Sequence, residues 1–574
     1  MGGTLLRWCA RRIGEFLLLG ASYVALALIA TYPLVVNFTR CVPGGAYGDV
    51  WQFINQFWWF KKALIEQGVN PYFDPYMFYP SGVSLASTTL TPFNTLLSVP
   101  LQLVFDLPTT YNLLFLLTFV MTGYGTFALA EYLIQDRWAA FGSSIIFTFS
   151  PYRLMRGFGH LNLLTTQFIP LYILFLFKTL RTRRVKDAVL AGVFLALVGL
   201  SSEVYLLQIV LLSLILAPAL MWWAGVEKQS FATLIRPLLA GSGVFLILAL
   251  PFYYQTLLLI CSGDANLELP LWYVSMNSAD LMAFFTPNPS SSLYASISSA
   301  VYSHIAAYPV ETAVFPGYVT IGLAMPALLA RRSRETYLWT VVALIFGGLS
   351  LGPELHISGM PILDLPYKTT IYPIMPFYIP SRFSVTYLVA ISILAGYGFT
   401  RLLAKRAPRL RHLTCAALCL LIFAESTIIP YPLSATTAPK IYYEMRDDEE
   451  MYALMEVPIS PSPVPIGRYL YYQTIHQKPI IGGWVSRLPH STLRSLQQNP
   501  MVRKLMEIHQ GMQTGPVDVV ANLQLLKHQN VRYVIVHTGM LSDGEWQQIE
   551  GMLGHLPSQV VEDQTDPLIV YRLL

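Results

Sequence analysis

The sequence predicts a mainly α-helical, polytopic membrane protein with a small α/β domain at its C-terminus. Three observations predict it. Of 574 residues, 54% are hydrophobic and only 12% are charged, whereas soluble domains carry about a quarter charged residues. Apolar runs approaching the roughly 20 residues that a helix needs to cross a bilayer recur through most of the chain. Basic residues collect in alternate gaps between those runs. Lipid offers no partner to a free backbone N–H or C=O, so apolar runs of this length must be helices.

Eleven spans are expected, near residues 13–36, 108–133, 138–150, 161–180, 188–201, 203–223, 237–257, 311–330, 336–351, 383–404 and 412–429. The stretch 188–223 also fits a single kinked hairpin. Arg7, Arg11 and Arg12 precede the first span, which places the N-terminus in the cytoplasm by the positive-inside rule. The same side then receives Arg137, Lys178 to Lys186, Lys228 with Arg236, Arg331 to Arg334, and Arg401 to Arg411. Nineteen Lys or Arg fall on this side in six successive segments, against seven in the longer outer loops. The first span starts like a signal peptide, but it lacks a clear small-residue cleavage site and more spans follow, so it counts as a span. A multi-pass plasma-membrane protein follows, and the net charge of +5 reads as topology, not as nucleic-acid binding.

An odd number of spans puts the tail outside. Residues 1–429 form the expected transmembrane domain, with a first outer loop over 37–107 that carries amphipathic helices. Residues 430–574 form an extracytoplasmic domain. The tail opens with Pro430, Pro432 and Pro439, then the acidic run Asp447-Asp448-Glu449-Glu450. Val531 to Val536 and Leu568 to Arg572 read as strands, and 493–509 and 544–553 as helices, enough for a small α/β core. Cys41 and Cys261 share the outer side, where an oxidising compartment permits a disulfide. No Cys/His zinc pattern, Gly-rich phosphate loop or Gly-x-Ser-x-Gly occurs.

Chemistry is sought among polar residues at the outer ends of the spans. Tyr47-Gly48-Asp49-Val50-Trp51-Gln52 follows the first span. Asp49 is placed to act as a general base on a hydroxyl. Asp49 with Gln52 also fits a capping box, with Gln52 at N3. The two readings stand side by side, since one carboxylate oxygen can cap while the other faces a cavity. The helix expected over 50–67, with Trp51, Ile54, Trp58 and Lys62 at helical spacing, reads as interfacial, its aromatics at headgroup depth. In Ser150-Pro151-Tyr152-Arg153-Leu154-Met155-Arg156-Gly157-Phe158-Gly159-His160, two arginines and a histidine stand on the side poor in cations. Such groups stabilise a departing phosphate, or else Arg153 and Arg156 snorkel to headgroups and His160 is an interface residue. Glu203 lies at a hairpin tip between apolar spans, where an acid is costly without a cavity or partner; a helix N-terminus also accommodates it. Glu311 has the same ambiguity. Asp264, Glu268 and Asp280 are expected to be solvated. Arg382, in Tyr378-Ile379-Pro380-Ser381-Arg382-Phe383, carries a planar fork suited to phosphate, and Lys368 sits on the loop before it.

An acid after the first span, a long first outer loop, many spans, basic residues at outer span ends and an outer C-terminal domain together resemble the GT-C superfamily of polytopic glycosyltransferases. Asn70-Pro71, Tyr79-Pro80-Ser81-Gly82, Pro380-Ser381-Arg382 and Tyr471 to His476 are similar to segments of bacterial YfhO-like membrane proteins. The resemblance implies a polyprenyl-phosphate sugar as donor, an acceptor hydroxyl of a glycan, lipid or protein, and inverting transfer on the outer face. It carries the base role to Asp49. Many members have paired acids there, whereas Val50 follows Asp49 here, which leaves Glu203 as the candidate second acid. Donor phosphate then falls to Arg382, Arg153, His160 and Lys368, with Gln52, Arg156 and Glu311 as secondary candidates. No ligand cluster in the sequence decides for or against a divalent metal. The competing readings are a lipid or polysaccharide flippase, and a non-catalytic cell-envelope scaffold.

Overall fold

The computed structural model describes residues 2–573 apart from 46–47, 224–227, 266–267, 306–308, 330–332, 377, 405, 461–462, 513–514, 516 and 562–565. Tyr47, Tyr308, Arg331, Arg332 and Lys405 of the sequence reading lie outside the described residues. The chain divides into two compact units. One comprises 1–37, 112–251 and 267–432; the other comprises 38–111, 252–266 and 433–574.

Every expected span overlaps helix, although 161–180 is broken between Leu161–Leu164 and Phe168–Thr182, and 311–330 is helical mainly over Tyr318–Leu329. Among the described residues, six stretches are long and apolar enough to cross a membrane: Arg12–Ala30, Leu107–Ile134, Leu161–Thr182, Glu203–Met221, Thr233–Cys261 and Pro380–Leu403. The other five are shorter or more charged. Arg137–Thr148 and Tyr318–Leu329 have 12 residues each, about 18 Å at 1.5 Å per residue, short of a hydrocarbon core about 30 Å thick. Pro408–Ser426 has 19 residues but includes Arg409, Arg411 and Glu425. The stretch 188–223 is two helices, Val185–Ser201 and Glu203–Trp223, separated at the extended residue Ser202.

The first unit is built around Ser384–Leu403, which packs against Arg137–Thr148, Tyr318–Leu329 and Arg334–Ser350. Small residues permit the approach. A Cβ on Gly398 would stand 1.7 Å from the Leu323 carbonyl oxygen, so only glycine fits. Asp280, expected to be solvated, is buried instead. Its carboxylate accepts from the backbone N–H groups of Met282 (2.8 Å), Ser358 (3.2 Å) and Gly359 (2.8 Å), which replace the water it loses.

In the second unit the first loop folds together with the tail. Phe78 and Tyr79 donate backbone hydrogen bonds to Gly482 and Ile480, and Ile480 donates to Tyr76. Cys41–Pro43 pairs antiparallel with Leu433–Ala435. The helix Val50–Lys61 is not interfacial. Val50 through Phe60 are all buried, and the helix packs on Pro463–His476. Its polar residues are satisfied inside protein: Asn55 donates to the Leu470 carbonyl and to Gln473, each at 3.0 Å. Cys41 and Cys261, which the outer side would permit to pair, are not joined by a disulfide.

The tail contains a four-stranded sheet in the order Ala453–Val457, Val531–His537, Leu568–Arg572, Ser558–Val561. The first pair is parallel and the others antiparallel. Both strands read from the sequence are present, and the two expected helices appear as His490–Gln498 with Pro500–His509, and as Asp543–Leu553. Beneath the sheet His537 is clamped between two carboxylates, Asp566 at 2.9 Å from Nδ1 and Glu456 at 2.8 Å from Nε2. Tyr472 donates to Asp566 (2.8 Å) and Tyr442 to Glu456 (3.1 Å), and all five side chains are buried.

Burial by itself would lower the His537 pKa, but its hydrogen bonds to Asp566 and Glu456 and their charges outweigh it and push the imidazole up to about 9. Burial also raises the Glu456 carboxyl. Both shifts are upward, so both contribute stability at low pH that is lost as pH rises. Stability of this unit, read by hydrogen exchange in Val531–His537, is therefore expected to fall between about pH 6.5 and pH 9. His537→Gln should cost about 3 kcal/mol or more near neutrality and flatten that decline.

Candidate functional site

The first unit gathers three of the candidate residues into one buried ion cluster. Ser150 caps the short helix Pro151–Arg156 by accepting from the Arg153 N–H, and Pro151 at its first position suits the fixed proline φ. Arg156 leaves this helix to pair with Glu311: Nη1 stands 2.7 Å from Oε2, and Nη2 donates to the Glu311 carbonyl at 3.0 Å. The guanidinium also lies over the Tyr152 ring, 4.8 Å from its centre. Arg382 projects from the turn Pro380–Phe383 and donates to the other carboxylate oxygen from Nη2 at 3.0 Å, with Nε 3.4 Å from Oε2. Its backbone is held by Gln208, whose amide donates to the Arg382 carbonyl at 2.7 Å and to the Tyr378 hydroxyl, while Thr386 donates to the Gln208 oxygen. His160 lies near enough to Glu311 to favour its charge.

Two guanidiniums therefore share one carboxylate, and the cluster keeps one net positive charge before His160 is counted. Arg156 is fully buried, whereas the Arg382 side chain is 18% exposed. Arg382 is thus the more exposed of the two cations.

The other candidates are placed differently. Arg153 stands three residues from Arg156, yet its fork is committed to main chain: Nη1 donates to the Thr148 carbonyl and Nη2 to that of Leu164 at 3.0 Å, with the Phe119 ring 4.8 Å away. It does not snorkel: both Nη groups are spent on closing helix ends inside the fold, and its Nε is buried without a hydrogen-bond partner. Lys368 is neutralised by Asp364 at 3.0 Å and Glu354 at 3.4 Å. Glu203 is exposed at the start of its helix.

In the second unit, Asp49 occupies the N-cap position of Val50–Lys61, but its side chain makes no cap hydrogen bond. The capping box is therefore not formed, because Gln52 is buried and donates to Thr88 instead of reaching back. Asp49 is half-buried and close enough to Tyr111 to act on its hydroxyl electrostatically. Two polar residues escaped the sequence reading. Gln208, a buried amide inside an apolar span, carried a usable signal, since such residues in membrane helices are rare and functional. Asp74, buried in the first loop, accepts from the Tyr76 N–H at 2.8 Å, and burial pushes its carboxyl up to about 7; nothing in its local sequence distinguishes it from a turn residue. Among the described residues, no group of three or more His, Cys, Asp or Glu is placed to hold a metal ion.

A family model described as a domain of unknown function, DUF6311, matches residues 18–425. The chain belongs to the DUF6311 family. No curated protein matches it. Among solved structures, this DUF6311 chain is similar to the arabinofuranosyltransferase AftD from Mycobacteria, with a TM-score of 0.58 and 15% identity over 97% of the chain, which spans 41% of AftD. It is also similar to ArnT from Cupriavidus metallidurans bound to undecaprenyl phosphate, with a TM-score of 0.51 and 11% identity over 98% of each chain. The DUF6311 chain thus has the fold of GT-C membrane glycosyltransferases.

The ion cluster predicts a stability phenotype. Glu311→Ala leaves two buried guanidiniums without their counter-charge and should destabilise the protein by about 3–5 kcal/mol. Thermal unfolding in detergent measures it. Arg382→Ala, which leaves Glu311 paired with Arg156, should cost less; equal losses in the two variants would mean that the pairs are not shared as described.

Proposed function

We propose that this protein is an integral-membrane glycosyltransferase that moves a sugar from a polyprenyl-phosphate donor to an acceptor hydroxyl on the outer membrane face. The observation that carries the reading is the convergence of Arg382 and Arg156 on a single carboxylate, leaving net positive charge within a GT-C fold. The ArnT structure of the same fold contains undecaprenyl phosphate, and AftD is an arabinofuranosyltransferase, which supports both the donor class and the reaction. The basic-residue pattern supports a cytoplasmic N-terminus and an outer C-terminal domain following a transmembrane domain. The short motifs favour a place near the YfhO-like branch of the fold.

In the proposed reaction the acceptor oxygen attacks the anomeric carbon of the donor. The bond from that carbon to the phosphate oxygen breaks and the electron pair leaves with the phosphate; the role of taking the hydroxyl proton is carried to Asp49 by the family resemblance. Arg382 meets the growing charge directly, with Arg156 and His160 adding to the field behind it. Phosphate departs without protonation, so one general base suffices and Glu203 is not needed as a second acid. Arg153 serves the fold, and Lys368 the hairpin that it braces.

Purified protein reconstituted with polyprenyl-phosphate sugars and surface glycans, with products read by mass spectrometry, tests the proposal. Asp49→Asn should lower transfer by about 10²-fold or more, and Arg382→Gln by about 10²-fold, in protein that still elutes as a folded species. Wild-type transfer by both variants would falsify the mechanism. Translocation of the lipid without sugar transfer would favour a flippase.

A further inference from the structure

The α/β tail carries an open cavity of about 360 Å³ that the transferase reading leaves unused, within the range of about 300–1,000 Å³ usual for small-ligand sites. It lies between the helix Lys440–Asp447 and the sheet edge formed by Leu568–Arg572 and Ser558–Val561. Strand register sets Tyr533 opposite Arg572 and Val570 opposite Gln559, so these four side chains share one face of the sheet. The floor is apolar. Ile441 and Met445 come from the helix and Val570 from the sheet, and the Tyr533 ring meets Tyr452 edge to face at 5.7 Å. The rim is polar, made by Glu444, Ser558, Gln559 and Arg572.

Charge narrows the ligand. Asp448, also in the lining, stands 3.0 Å from Arg532, which Glu450 shares, Glu444 pairs with Lys440 at 3.1 Å, and Arg572 is the third base against these three acids. The cavity thus offers no surplus charge to an anion or a cation. An apolar floor under a rim of donors and acceptors matches a molecule that is apolar on one face and hydroxylated around its edge. We propose that this cavity binds a neutral glycan chain, with Tyr533 and the floor against the apolar face of a sugar and Glu444, Gln559 and Arg572 on its hydroxyls. That the bound glycan is the acceptor rests on the transferase reading; the binding itself does not.

The test is saturation-transfer NMR and calorimetry on the full-length protein in a detergent without a sugar headgroup. Mannotetraose, cellotetraose and arabinotetraose are the probes, with a sulfated tetrasaccharide as the anionic control. At least one neutral probe should bind, and Tyr533→Ala should weaken it about tenfold, an easily resolved change. The double variant Glu444→Gln/Gln559→Ala, at exposed rim positions, should do the same and keeps the test decisive if Tyr533→Ala misfolds. Binding of no neutral probe, unchanged binding by the rim variant, preference for the sulfated chain, or preference for an extended peptide at the open Ser558–Val561 edge overturns the proposal. Binding is read without turnover, so an inactive protein that binds glycan counts against the transferase and not against this site.

Discussion

A single buried carboxylate holds the first unit's polar interior together. Glu311 lies 155 residues from Arg156 and 71 from Arg382, and its two oxygens tie together three segments that share no local sequence. An ion cluster buried this deeply costs more in lost hydration than its attraction returns unless its geometry is close and its remaining donors are met. Here they are met in part: Arg156 donates to the Glu311 carbonyl and lies over the Tyr152 ring while its Nε stays without a hydrogen-bond partner, and Gln208 holds the Arg382 backbone. Apolar packing would have stabilised the fold as well. Retaining charge at that expense is what makes the cluster a candidate site.

The second unit meets the same constraint with a different outcome. His537 is enclosed by two carboxylates that are each hydrogen-bonded to a tyrosine, and Tyr469 stacks on its ring at 4.3 Å. Its donors and most of its acceptors are matched internally, so this cluster reads as the polar centre of the α/β core. The Arg156–Glu311–Arg382 cluster retains an unmatched positive charge and a partly exposed arginine. That difference in balance, rather than burial or ionisable content, separates a candidate binding site from a structural one.

Helices were legible because hydropathy needs only local windows: all eleven expected positions overlap helix, and the ambiguous stretch 188–223 is two helices broken at Ser202. What hydropathy could not report is which helices are long enough to cross a bilayer, since Arg137–Thr148 and Tyr318–Leu329 are apolar yet short. The strand Ala453–Val457 was missed because all five residues are buried, which removes the alternation that marks a half-buried strand. The helix Val50–Lys61 was misread for a related reason. An aromatic-rich amphipathic pattern looks the same whether its other face meets headgroups or, as here, the helix Pro463–His476, more than 400 residues away. In the site, residue types were legible and partners were not. Arg153 and Arg156 sit one helical turn apart with the same chemistry, and only tertiary structure commits one to carbonyls and the other to Glu311.

Paired acids are therefore not a necessary feature of the proposed chemistry. A carboxylate beside Asp49 would raise the affinity of the site for its proton without helping the phosphate leave, whereas a cation acts on the charge that develops as the bond breaks. Arg382 is permanently charged and planar, so it can exchange one of its two contacts with Glu311 for a phosphate oxygen while the other contact persists. Arg156, fully buried, would hold Glu311 in place during that exchange against its repulsion by the anion. On this reading Glu311 is the pivot: it seats both arginines when the site is empty, and the one positive charge it leaves over is what an arriving anion matches.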